Sequence, residues 1–288
     1  MKWWLLVMWL WSLSGIAEPI VVTDAVGQEI ALEQPAQRIV ALSPHLVENL
    51  FAIGAGDRIV ATITYADYPE AARQLPRIGN LQQISVEAIV ALQPDLVLAW
   101  ASGTSATIIK QLQSLGVTVY QDEPKTLDDI AQSLQQLGQL TGQWQQAQAV
   151  TTEYLDKLVQ LKNTYAQAAP VTVFYQIWHE PLQTLNRNHV INSVIELCGG
   201  RNSFANAPVL APKINIESVL IRNPQVIIAS AHRGQRPQWL DQWQQWPSLS
   251  AVQQGQLYFI DADLLERHTL RILRGAEQLC ECLQQARP

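Results

Sequence analysis

Histidine is the usual source of acid–base and metal chemistry near neutral pH, and this chain has five: His45, His179, His189, His232 and His268. None stands in an H-E-x-x-H pair, and no Gly-rich loop of the phosphate-cradling kind is present. No G-x-S-x-G turn presents a serine nucleophile. His45 differs from the rest because it follows an expected strand end and opens an expected helix. Open α/β sheets bind ligands at such places, so a metal-ligand role is weighed for His45 against a plain hydrogen-bonding one. The chain as a whole reads as a protein without catalysis, bound metal or cofactor.

A better set of groups lies at other expected strand ends. Tyr65 and Tyr68 follow the second strand, Trp100 ends the third, and Trp178 follows the first strand of the second half. Aromatic side chains at the mouths of two α/β units make apolar walls for a large flat ligand. For Trp100, ligand wall and core packing are both open. Its counterpart in the internal repeat described below is Ser230, so the sheet itself does not demand a Trp. Trp239, Trp243 and Trp246 recur at helical spacing and read as packing. Asp263 and Arg267 follow a late strand, where they either present polar groups to the cleft or form a local i, i+4 pair.

Two glutamates, Glu87 and Glu217, occupy matching places in that repeat. Ser85-Val-Glu-Ala-Ile-Val-Ala-Leu-Gln-Pro-Asp-Leu-Val-Leu-Ala-Trp100 is echoed by Asn215-Ile-Glu-Ser-Val-Leu-Ile-Arg-Asn-Pro-Gln-Val-Ile-Ile-Ala-Ser230. Each copy has a capping residue, a Glu, an apolar helix, a proline stop and a buried strand. The first turn of a helix favours a carboxylate through the helix dipole. The same pair can instead dock basic residues of another protein, one on each lobe.

The elements that carry these groups follow an α/β rhythm. Strands are expected at 38–43, 58–64, 96–100 and 117–120, with helices between them. After Leu127 the chain is nearly all helix formers, and Gly138 and Gly142 mark a break. From Gln143 to Ala168 nothing interrupts the helical pattern, and Pro170 stops it. A helix of about 24 residues is about 36 Å long, which suits a rigid strut between two lobes. The α/β rhythm restarts after Pro170. The expected division is residues 18–142, 143–169 and 170–288, giving two lobes with cores of their own.

Residues 1–17 read as a secretory signal peptide: Lys2, a short apolar run and a small-residue end at Gly15-Ile-Ala17. The run is short for a bilayer span, so a soluble, exported chain is expected in the periplasm. The net charge of −6 argues against nucleic acid or an anionic membrane surface as partner. Three cysteines in an exported chain make a disulfide plausible. Cys198 can pair with Cys280, the preferred partner, or with Cys282.

With these residues in view, the chain resembles the periplasmic substrate-binding proteins of ABC importers. The likeness is to the class that handles cobalamin, haem and siderophores, and most closely to its cobalamin branch. The motifs are Arg38-Ile-Val-Ala-Leu-Ser-Pro44, Tyr65-Ala-Asp-Tyr-Pro69, Ile89-Val-Ala-Leu-Gln-Pro-Asp-Leu-Val-Leu-Ala-Trp100, Cys198-Gly-Gly200, and Glu266-Arg267 with Arg271-Ile-Leu273. The resemblance implies two Rossmann-like α/β lobes with parallel sheets, joined by one long rigid helix. It implies a monomer that delivers cobalamin, or alternatively a ferric siderophore or haem, to an inner-membrane ABC permease. It implies ligand contacts at Tyr65, Trp100, Asp263 and Arg267, permease docking through Glu87 and Glu217, and a Cys198–Cys280 disulfide. Two further aromatic contacts of the cobalamin branch fall at Leu81 and Ala211 here. The aromatic cage is therefore thinner, and Trp178 is the residue expected to compensate.

Overall fold

A computed structural model of the protein describes residues 18–231 and 234–287. The expected signal peptide and His232 lie outside the described residues.

Mostly buried apolar runs form two four-stranded sheets, with the polar Gly200–Asn202 as an edge-strand exception. The first contains β1 (Ile39–Ala41), β2 (Ile59–Thr62), β3 (Leu96–Trp100) and β4 (Val119–Asp122). The second contains β5 (Val171–Gln176), β6 (Gly200–Asn202), β7 (Val226–Ala231) and β8 (Leu257–Asp261). Every neighbouring pair within each sheet is parallel. The first sheet runs β2-β1-β3-β4 and the second β6-β5-β7-β8. Both thus have their second strand outside the first, followed by the third and fourth. The repeat seen in the sequence is therefore a repeat of whole-lobe topology. In such sheets the strand order reverses between the first and third strands, and ligands bind beyond the C-terminal ends of the strands there.

The helices follow from local signals. Helix α1 (Pro44–Ala52) starts with Pro in its first turn. Helices α2 (Val86–Ala91) and α3 (Leu127–Leu140) are capped by Ser85 and by a Thr126–Asp129 capping box. Helix α4 (Trp144–Tyr165) is the expected long helix, 22 residues in length. It buries Ala147, Thr151, Tyr154 and Leu158 as one stripe at helical spacing. It reaches both lobes: Tyr154 donates to the Leu127 carbonyl at 2.9 Å on one side, and Lys157 pairs with Glu277 at 2.9 Å on the other. Helices α5 (Val190–Leu197), α6 (Ile216–Arg222) and α7 (Ile272–Gln285) complete the second lobe. No helix among the described residues is long and apolar enough to cross a membrane.

Two expectations are corrected. Gly138 does not break the chain, because it lies inside α3, where a Cβ would meet that of Ala147 on α4 at 2.4 Å. It is there for close helix approach, while Gly142, at φ +66°, makes the turn. The cores are also not separate. One face of each sheet packs into a single continuous cluster that runs from Ile39 and Leu96 through Leu134 and Leu158 to Val173 and Leu279. Each lobe keeps a private core only on its other face, around Val97 and Ile109 in one and Phe174 and Trp243 in the other. Cys198 and Cys280 form a disulfide between α5 and α7.

Candidate functional site

The wall contributed by the first lobe grows out of β1, β3 and the turn after β2. Trp100 ends β3 and is half-buried. Its indole lies flat on Gly103, where a Cβ would fall 1.9 Å from a ring atom, so the glycine is needed for the ring's position. His45, in the first turn of α1, stands edge-on to Trp100 with ring centroids 5.8 Å apart. His45 is buried, its Nδ1 2.6 Å from Ser43 Oγ and its Nε2 3.2 Å from Asp122 Oδ2 at the end of β4. These bonds occupy both ring nitrogens and hold His45 as scaffold for Trp100. Among the described residues no group of three His, Cys, Asp or Glu side chains is arranged to hold a metal ion. Tyr65 sits in left-handed conformation at φ 73° and is 73 % exposed. Such a conformation in a bulky residue costs on the order of 1 kcal/mol, and the side chain is left open to solvent.

The second lobe meets this wall with His268 and an ionic cluster. His268 is buried against both His45 and Trp100, at 5.1 and 5.8 Å between ring centroids. Its carbonyl accepts from Asn49 Nδ2 at 3.0 Å. Burial, and then the neighbouring His45 and His189, hold its imidazole well below the usual histidine range. His189, ring to ring with His268 at 5.7 Å, is pushed down to about 4 by burial. Its Nδ1 accepts from the Ile191 backbone at 3.2 Å, which requires that nitrogen to be unprotonated. Trp100 Nε1 and His268 Nδ1 are buried and have no hydrogen-bond partner among the described residues.

Arg267 does not project freely from its strand end. Its guanidinium reaches Glu48 Oε1 at 2.7 Å, Asp67 Oδ1 at 3.0 Å and Asp263 Oδ1 at 2.9 Å, and donates to the Tyr65 carbonyl at 3.3 Å. Burial pulls its pKa down, but Glu48, Asp263 and Asp67 outweigh this, and the net shift is upward. Arg271 joins Glu48 through Nε at 2.9 Å and Nη2 at 2.7 Å. Its guanidinium carbon also lies 3.9 Å over the Tyr68 ring. The local Asp263–Arg267 pair weighed from sequence is therefore present, as one arm of a larger group. A cavity of about 320 Å³ lies beside it, lined from both lobes by Glu48, Asn49, Tyr68, Thr269 and Arg271.

Trp178 is half exposed, on the hairpin that follows β5, with Nε1 donating to the Glu180 carbonyl at 2.8 Å. It adjoins His179, which stacks on Trp239 at 5.4 Å and 7° between planes. Trp243 packs in the private core of the second lobe and donates to Gln176 Oε1 at 2.7 Å. Trp239 and Trp246 cover that core, as their spacing led one to expect. Leu81 is likewise packed against a core, in the first lobe, and Ala211 is exposed on the second. Glu87 and Glu217 are both exposed, each in the first turn of its helix behind a capping side chain, Ser85 or Asn215. A separate groove of about 610 Å³, with Phe204, Lys213, Ser218 and Arg222 in its walls, runs beside α6.

This two-lobed arrangement has known counterparts. A family model described as periplasmic binding protein matches residues 39–264. The chain belongs to this family. As a periplasmic binding protein it is 39 % identical over 250 residues to the vitamin B12-binding protein of Vibrio cholerae serotype O1, covering 87 % of this chain and 90 % of that one. It is 35 % identical over 246 residues to the vitamin B12-binding protein of Photorhabdus laumondii, covering 85 % of this chain and 87 % of the relative. Among solved structures, the periplasmic vitamin B12 binding protein of V. cholerae superposes with a TM-score of 0.81, covering 88 % of this chain and 98 % of that chain. A haem-binding protein from Roseiflexus sp. RS-1, at 22 % identity, shares the fold with a TM-score of 0.77, covering 88 % of this chain and all of that one.

The sequence reading of this periplasmic binding protein missed Glu48, Asp67, Asp122 and the cleft role of His268. One signal was available for Glu48: it is the lone acid in a mostly apolar helix, Leu46-Val-Glu-Asn-Leu-Phe51. An acid buried in that way needs a cationic partner. Nothing local pointed to Arg267 and Arg271 as those partners, more than two hundred positions away.

Proposed function

We propose that this periplasmic binding protein captures cobalamin or a closely related corrinoid in the crevice between its lobes and delivers it, unchanged, to an inner-membrane ABC transporter. The observation that carries this reading is the placing of aromatic groups beyond the strand ends of both sheets, Tyr65 and Trp100 on one lobe and Trp178 on the other. The vitamin B12-binding relatives, at 39 % identity, support the choice of ligand. Tyr65, Trp100 and Trp178 supply flat apolar surface, and Asp263 with Arg267 supplies polar contacts at its edge. Residues 18–142 and 170–288 act as the lobes and 143–169 as their connection. The protein acts as a monomer without cofactor. Residues 1–17 direct export and are removed in the periplasm, and Glu87 and Glu217 engage the permease.

A second reading, a ferric siderophore or haem carrier, is favoured by the non-aromatic Leu81 and Ala211. Titration of tryptophan fluorescence with cyanocobalamin, haem and ferrichrome separates the two. Quenching by cyanocobalamin at micromolar concentration or below, weakened at least tenfold (about 1.4 kcal/mol) by Trp100→Ala, is expected. A response to haem or ferrichrome with none to cyanocobalamin overturns the first reading.

A further inference from the structure

The ionic cluster at the crevice joins residues that the sequence keeps apart. Glu48 lies on α1 of the first lobe, and Arg267 and Arg271 lie just before α7 of the second. Its carboxylate is 3 % exposed and takes three charge-assisted hydrogen bonds, one from Arg267 and two from Arg271. The same arginines reach three further groups of the first lobe: Asp67, the Tyr65 carbonyl and the Tyr68 ring. Asn49, next to Glu48, adds its bond to the His268 carbonyl. These contacts all cross the crevice, and they converge on Glu48 and on the 65–68 turn that carries the exposed Tyr65.

Geometry makes this a joint more than a source of stability. Two guanidiniums on one buried carboxylate have demanding directional requirements. A buried ion pair is weak evidence for net stabilisation, while removing one partner strands the other charges. Helix α4 fixes one side of the lobe pair covalently. The Glu48 cluster fixes the crevice side.

We infer that Glu48 is a positioning residue: by holding Arg267 and Arg271 across the crevice it sets the separation of the lobes, and with it the width of the ligand crevice and the spacing of Glu87 and Glu217. The consequences for ligand and permease rest on the function proposed above, whereas the clasp itself does not. Without Glu48, two guanidiniums face each other with less negative charge between them, and the lobes part on the crevice side while α4 keeps them tethered.

The test is a distance between spin labels at Val90→Cys on α2 and Ile221→Cys on α6, both exposed positions, in a Cys282→Ser background. Double electron–electron resonance on the full chain, with no ligand added, is expected to give one narrow distribution for the parent. Glu48→Ala shifts it several ångströms longer and broadens it, and Glu48→Asp restores part of the narrow population. A role confined to local packing lowers the melting temperature and leaves the distance unchanged. An unchanged distribution in folded Glu48→Ala overturns the clasp. If Glu48→Ala does not fold, as judged by circular dichroism, Arg271→Gln is read the same way, and a parental distribution there overturns it equally. Adding cyanocobalamin to the labelled parent tests the ligand reading separately, since failure to bind leaves the label-free-of-ligand comparison intact.

Discussion

At the scale of the residue, burial holds two imidazoles beside the crevice, His189 and His268, in the neutral form. His189 titrates near 6.5 in an unfolded chain and near 4 when folded, and His268 is held low as well. Between those pH values the unfolded chain binds protons that the folded one refuses, so stability rises with pH across the window. It is complete above about 6.5 and is lost as pH falls toward 4. The share of His189 is of order 1–3 kcal/mol. Thermal melts at pH 7.0, 6.0 and 5.0 should therefore show a falling midpoint. His189→Asn keeps an N-cap acceptor for Ile191 and should make the fall shallower. An equal slope in both proteins would assign the acid sensitivity elsewhere. The single histidine that sequence singled out, His45, belongs to the same assembly, but as the support of Trp100 through Ser43 and Asp122.

At the scale of the element, the repeat extends to backbone detail. Helices α2 and α6 are capped by side chains that accept from Ala88 N and Ser218 N. They are followed by left-handed residues at the same place before the proline, Gln93 at φ 46° and Asn223 at φ 43°. Each cap contributes about 1 kcal/mol, so an acidic second helical residue is not needed to hold either helix. Exposed glutamates kept at both places are thus available for docking, the use proposed above. Reversing both, Glu87→Arg with Glu217→Arg, should abolish uptake of radiolabelled cobalamin by cells carrying the matching transporter. Binding in fluorescence titration should be spared, and each single reversal should cost uptake less than the pair. Full uptake with both reversed would reduce the glutamates to helix-dipole partners. The repeat also shows where the lobes diverge. Trp100 is answered by Ser230, whose hydroxyl donates to Glu266, so one copy ends in an indole packed against His45 and His268 and the other in a hydrogen bond.

At the scale of the whole molecule, the lobes are joined three times over: by α4, by a continuous core cluster and by the Glu48 ions. Relative motion of domains is the default when they meet through a small interface; the shared core together with the Glu48 ions restricts that freedom. Small-angle scattering with and without cyanocobalamin is expected to differ by less than about 1 Å in radius of gyration, far from the closure of hinge-type binding proteins. A larger change would mean that α3 and α4 flex and that the shared core can be divided. The expectation of separate cores failed because apolar periodicity tells which residues are buried, and says nothing about whether two buried faces meet each other.

The sequence by itself determined the parts whose signals are local. Most strands and helices, both caps, the proline stops, the long helix and the aromatic strand ends follow from periodicity and from residue types within a few positions; the short polar strand Gly200–Asn202, paired with β5, does not, because Gly-Arg-Asn carries no strand signal of its own. The duplication was legible because both copies keep the same local signals. Only the tertiary structure decided what lies across the crevice. Glu48 finds Arg267 and Arg271, His45 finds Asp122, and Trp100 comes against His268. Each of these contacts depends on how two sheets are set against each other. That setting is fixed by packing over the whole shared core, to which any one stretch of sequence contributes only its own face.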